Sequence, residues 1–166
     1  MSKRPVILIG MAGGAAWAVV VMVIGPGLGV VLIPEEALVI ALLLAAVPLM
    51  AMIGRLAQTR FFDDAIIDGQ PLTGAAQIDQ RVLSNTVEQL VLAICIWPAA
   101  ALLLGPGTVV LLGLSNLVAR FLFWFGYHVS PPLRGLGFAA TFYPTVLAGL
   151  LSLWTGMQIV LFGYGG

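Results

Sequence analysis

Arg81, Asn85 and Glu88 are separated by four and three residues, so a helix presents all three side chains on one face. The stretch that follows, residues 89–119, carries no charge. An ionisable side chain inside a membrane costs roughly 2.5–3.5 kcal/mol on insertion scales, so it turns toward a protein interior or a watery cavity. A second set, Arg120, Phe123, Trp124 and Tyr127, also follows helical spacing, and Arg134 stands just past the Pro131-Pro132 break. Arg81, Asn85, Glu88, Arg120, Tyr127 and Arg134 together supply three guanidiniums, a carboxylate, an amide and a phenol. Arginine grips carboxylates in bidentate fashion and glutamate takes an ammonium group, so the set suits a small zwitterionic peptide.

The elements that position these residues are membrane spans. Of the 166 residues, 61% are hydrophobic and 8% charged, which places the chain among integral membrane proteins. Apolar runs extend from about Pro5 to Ile24, Ala37 to Gly54, Val82 to Leu104, Thr108 to Gly126 and Leu136 to Phe162. Glycine-proline breakers end the first and third of them, at residues 25–27 and 105–107. Each run is near the ~20 residues a helix needs to cross the bilayer, whereas barrel strands are shorter and alternate. An all-α helical bundle is therefore expected. Lys3 and Arg4 precede a run too long for a signal peptide, with no convincing cleavage site, so the first span is read as retained.

With five spans and a cytoplasmic amino terminus, all seven basic residues fall on or near the cytoplasmic side. The opposite side then holds Glu35 and Glu36, and the carboxyl-terminal residues 163–166 carry no charge. Net charge is zero, which points away from nucleic acid as a partner. Short loops and Ala/Leu/Gly-rich helices favour a bacterial inner membrane, with the endoplasmic reticulum as the alternative. Cys95 is the single cysteine, so no intrachain disulfide forms, and it is expected to pack as a small hydrophobe.

Arg55 to Arg81 is the one long hydrophilic stretch and reads as a loop of over twenty residues with a turn at Asp68-Gly69-Gln70-Pro71. Its Asp63-Asp64 pair has no further ligands at metal-site spacing, so a solvated loop offsetting Arg55 and Arg60 is expected rather than a metal centre. His128 is read as solvated, and Trp124 as part of an interfacial aromatic belt. No nucleophilic triad, zinc spacing or phosphate loop is present.

Gln70-Pro71-Leu72-Thr73-Gly74, then Arg81, Asn85 and Glu88, then Ala119-Arg120 with Gly126-Tyr127, and finally Arg134, resemble the MAPEG proteins. These are the membrane-associated proteins in eicosanoid and glutathione metabolism, and the resemblance covers roughly residues 35 to 162. It implies a homotrimer with glutathione, as co-substrate, held between subunits near the cytoplasmic face. Residues 35–166 would form the four-helix MAPEG-like domain, and residues 1–34 an extra amino-terminal helix and loop. By resemblance, Arg81, Asn85, Glu88, Arg120 and Tyr127 bind the tripeptide, and Arg134 acts in catalysis by stabilising its thiolate. The thiolate would attack or reduce a hydrophobic electrophile arriving from the bilayer.

Three departures bear on this. Gln89 and Phe123 stand where several members carry tyrosine, and the first helix precedes the usual four. Its Gly10, Gly13 and Gly14 allow close helix contact, and it is expected on the outside of the trimer. A non-enzymatic lipid-binding scaffold is the alternative function. At single residues the alternatives are interfacial anchoring by Arg120 and Arg134, an Arg81–Glu88 ion pair, and a purely interhelical hydrogen bond from Asn85.

Overall fold

In hydrocarbon no water satisfies backbone N–H and C=O groups, so apolar runs of this length must close their hydrogen bonds within a helix. A computed structural model describes residues 4–163, apart from the side chains of Arg4, Val6 and Ala65. Lys3 and residues 164–166 of the uncharged tail lie outside the described residues. The helices are α1 (Arg4–Ile24), α2 (Pro34–Phe61), α3 (Asp64–Ile67), α4 (Gly74–Leu103), α5 (Pro106–Val129) and α6 (Pro131–Phe162), with a 3-10 turn at Gly25–Gly27. Five of them are long and apolar enough to cross a membrane, and no strand occurs among the described residues. The all-α membrane bundle expected from the sequence is what is found.

The spans outlast their apolar windows. α2 continues through Arg55 and Arg60 to Phe61, and α4 already begins at Gly74. The expected loop of over twenty residues is thus reduced to residues 62–73, with the single turn of α3 inside it. Charge ends a hydropathy window without ending a helix, because Arg and Gln are good helix formers once the chain leaves hydrocarbon. The foreseen turn is present, with Gly69 at φ 88°. Gly105, at φ 94°, makes the sharp reversal between α4 and α5. Glu36 accepts the Ile33 N–H at 3.4 Å, where acidic residues suit a helix start. Pro48, Pro98 and Pro144 all lie inside helices.

α2 packs against α4 and α5, α5 also against α6, and α1 chiefly along α6. α1, α4 and α6 run one way, and α2 and α5 the other. Arg55, Arg60, Arg81, Arg120 and Arg134 gather toward one end, with Glu35 and Glu36 at the other. The core is built largely of small residues, including Ala37, Ala41, Ala45, Ala93, Ala100 and Ala148, around Trp97 and Leu112. Such residues let helix backbones approach where no hydrophobic drive separates protein from lipid.

α1 docks through glycine. A Cβ on Gly10 would lie 2.6 Å from the Pro132 carbonyl oxygen, and one on Gly14 would lie 2.6 Å from the Ala139 carbonyl carbon. Farther along, Trp17 Nε1 donates to Ser115 Oγ at 2.6 Å, and that hydroxyl donates to the Ala140 carbonyl at 3.1 Å. Leucine at Gly14 should overpack this seam at a cost of roughly 1–3 kcal/mol. At Gly13 the neighbour is only the flexible Leu136 Cδ1, at 3.2 Å, so leucine there should cost clearly less. Thermal unfolding of the two variants in detergent checks the order; equal melting temperatures would deny the α1–α6 contact.

Candidate functional site

The three residues of the α4 stripe do emerge on one side of the helix, with Arg81 and Glu88 exposed and Asn85 half-buried. The opposite face of α4, carrying Asp79, Val82, Thr86, Gln89, Ala93 and Trp97, is buried. Asn85 Nδ2 donates to Glu88 Oε2 at 3.2 Å, and Asn85 Oδ1 accepts from Arg120 Nη2 on α5 at 3.0 Å. Arg120 Nη1 donates to Thr141 Oγ1 on α6 at 3.3 Å. The Thr141 hydroxyl in turn donates to the Phe138 carbonyl oxygen at 2.8 Å. A polar relay, Thr141–Arg120–Asn85–Glu88, therefore crosses three helices.

Arg120 is 0% exposed. Its guanidinium carbon lies 4.2 Å from the centroid of the Phe123 ring, and its Nε has no hydrogen-bond partner among the described residues. Interfacial anchoring, which would need a charge reaching water, does not describe it. Asn85 does make an interhelical bond, and the same side chain also holds Glu88. Arg81 lies one turn before Asn85 and, among the described residues, forms no ion pair with Glu88.

Glycines bring the second half of the set into place. A Cβ on Gly137 would lie 2.6 Å from Phe123 Cα, and one on Gly126 would lie 2.8 Å from Arg134 Cα. Only bare backbones let α5 and α6 meet so closely at these two points. Across that seam the Arg134 guanidinium carbon sits 4.8 Å from the Tyr127 ring centroid, a cation–π arrangement. Tyr127 in turn meets Phe123 edge to face at 5.1 Å. Glu88, Asn85, Arg120, Tyr127 and Arg134 thus form one contiguous group through Phe123, and Arg81 flanks it on the same α4 face.

Continuing that face by seven residues from Glu88 leads to Cys95. Cys95 is exposed rather than packed, because it lines an apolar cleft of about 730 Å³ between α4 and α6, with Ile96, Leu103, Gly149 and Leu153. One helix face therefore passes from a charged end to an apolar trough.

A second polar centre was not foreseen. Asp79, read as part of a solvated loop, is 2% exposed. Its Oδ2 accepts from Arg55 Nε at 2.8 Å, and its Oδ1 accepts from Trp124 Nε1 at 2.7 Å and His128 Nε2 at 3.0 Å. Trp124 is thus a specific donor and not only a belt residue, and the His128 side chain is 31% exposed and partnered rather than simply solvated. The signal was available: Asp79 is in phase with Val82, Thr86, Gln89, Ala93 and Trp97 at helical steps. Asp63 and Asp64 take no part in this centre. No group of three His, Cys, Asp or Glu side chains able to hold a metal occurs among the described residues.

Fold and site together define a polytopic helical membrane protein with a polar relay through one buried arginine toward one end of the bundle. Residues 37–154 match the model of the MAPEG family, and the chain belongs to that family. The matched span begins within α2 and ends within α6, so α1 precedes it. Comparisons with curated proteins and with solved structures returned no match.

Valine at Thr141 keeps the side-chain shape but leaves Arg120 Nη1 without its acceptor. A buried charged donor stranded in this way should cost about 1–3 kcal/mol of stability. Thr141→Ser, which retains the hydroxyl, should melt near the parent temperature in the same detergent. Equal loss in both variants would mean that methyl packing, not the hydrogen bond, sets the effect.

Proposed function

We propose that the protein is a glutathione-dependent membrane transferase or peroxidase acting on hydrophobic electrophiles. Membership of the MAPEG family supports a membrane role in glutathione or eicosanoid metabolism in general. The observation that carries the finer reading is the single α4 face on which Arg81, Asn85 and Glu88 lead into the apolar cleft at Cys95. Arg81 offers a guanidinium to a carboxylate, and Glu88 offers a carboxylate to an ammonium group. Asn85 stands between them, its amide fixed by Arg120. Buried as it is, Arg120 contributes to tripeptide binding by holding Asn85 and Glu88 in register rather than by reaching outward. Tyr127 lends its phenol, and Arg134, stacked over that ring, is the catalytic group.

The chemistry assigned to Arg134 is electrostatic. A free cysteine thiol titrates near 8.5, and an adjacent guanidinium favours the thiolate. The sulfur then forms a bond to the electrophilic carbon as the leaving group departs with the bonding pair. The cleft between α4 and α6 would hold the apolar partner, reached from the bilayer. Exposed charged residues on a membrane helix argue for a neighbouring subunit, and the family resemblance implies that a homotrimer completes the site. In this reading the arginine-rich end and the amino terminus face the cytoplasm, in a bacterial inner membrane by preference. Residues 35–166 form the catalytic unit, and residues 1–34 add a helix to its outside.

Glutathione should raise the melting temperature of the purified protein, and an analogue lacking the thiol should do nearly as well, since the ammonium and carboxylates carry the binding. Absence of any shift, together with no conjugation of an aryl halide above background, would defeat the proposal. Arg134→Ala should lower kcat about tenfold for each unit by which the arginine lowers the thiol pKa, with little change in KM for glutathione. Matching losses in KM would make Arg134 a ligand anchor.

A lipid-binding scaffold without thiol chemistry is favoured by one observation: Phe123 and Gln89 are both buried and put no phenol beside the relay. Phe123→Tyr separates the readings. Increased turnover marks a weakened enzyme, whereas lipid binding with no thiol reaction in either form supports the scaffold.

A further inference from the structure

We propose that the cleft between the ends of α2 and α5 binds the headgroup of an anionic phospholipid, with Arg55 on its phosphate and its chains over Phe121 and Phe125. The cleft measures about 400 Å³ and is lined by Arg55, Phe121, Trp124, Phe125 and His128. Phe121, Trp124, Phe125 and His128 recur at i, i+3, i+4 and i+7 on α5, forming a stripe separate from Phe123 and Tyr127. The site therefore does not depend on the thiol chemistry proposed above.

Three features select the occupant. First, Asp79 holds Arg55 through Nε alone, and among the described residues neither Nη nitrogen has another hydrogen bond. The guanidinium also lies 6.0 Å from the Trp124 ring centroid, so it is held in place while its side chain remains 52% exposed. A fixed, half-open guanidinium is suited to phosphate, because little freedom is lost when the anion arrives.

Second, the negative charge of Asp79 does not oppose an incoming anion directly. That carboxylate is 2% exposed, and both its oxygens are occupied by Arg55, Trp124 and His128. The cleft presents its guanidinium outward and keeps its carboxylate beneath.

Third, the cleft has an apolar rim. Phe121 is 38% and Phe125 60% exposed, on a helix apolar enough to cross a membrane. Arg55 and His128 stand toward the helix ends, where hydrocarbon gives way to headgroups. A soluble anion would use Arg55 and leave both rings unused; a phospholipid uses all of them at once.

The full chain in detergent, analysed by native mass spectrometry, tests this with phosphatidylglycerol against phosphatidylcholine of identical chains. The parent protein should retain several-fold more phosphatidylglycerol. Arg55→Gln alone strands Asp79, so the decisive variant is Arg55→Gln combined with Asp79→Asn, which neutralises the pair; it should bring retention of the two lipids close to parity. Phe125→Ser, at an exposed position, should weaken phosphatidylglycerol retention without touching any charge. Arg60→Gln, outside the cleft, should leave the preference intact. Equal retention of both lipids by the parent, or a preference surviving in the paired variant, would overturn the proposal. Displacement of the lipid by millimolar inorganic phosphate would overturn it as well, by making the cleft a site for free anions.

Discussion

A guanidinium sealed from water inside a helical bundle must be held by the protein alone. Arg120 meets this demand with an amide from α4, a hydroxyl from α6 and the face of an aromatic ring on its own helix. Each unpaired polar atom in such surroundings costs on the order of several kcal/mol, so the three helices cannot slide past one another without penalty. This one side chain ties the registers of α4, α5 and α6 together. The orphaned Arg120 Nε shows that even here the accommodation is incomplete.

Asp79 plays the complementary part on the other face of α4. Its three donors come from α2 and α5, so it fastens to the bundle the one helix, α2, that packs on α4 and α5 outside the relay. Arg60 adds a bond from Nη2 to Gln80 Oε1 at 3.0 Å, again between α2 and α4. The two polar centres lie on different faces of α4 and each bonds to α5, so that pair is joined twice. A site that must hold reacting groups to within a fraction of an ångström gains from such a frame. The glycine seam at Gly126 and Gly137 does the rest, setting Arg134 against Tyr127 by letting the backbones touch.

Much of this was legible in residue order. Spans, breakers and the Arg81–Asn85–Glu88 stripe depend on local periodicity, and periodicity survives folding. Asp79 was misread because composition places an acidic residue of a hydrophilic segment in solvent, while helical phase places it on the buried side. The long loop failed for a related reason: hydropathy reports where lipid ends, not where hydrogen-bonded turns end. Cys95 was read as packed from the habits of its residue type, but it opens onto the cleft between α4 and α6 that Gly149 and Gly156 also line. The partner of α1 was beyond reach, since small residues announce a close approach without saying to what.

That partner is α6, the described helix farthest from α1 in sequence. Gly10 and Gly14 meet α6 at residues 132–140, more than a hundred positions downstream, and Trp17 reaches across to the Ser115 hydroxyl. Within this sequence α1 precedes α2 to α6, so its glycine-lined flank gains its partner only once α6 has been made. The seam it closes is among the most non-local in the molecule, and such contacts form late because the intervening chain must first be ordered. Packing of α1 thus waits on α6, the described helix farthest from it in sequence.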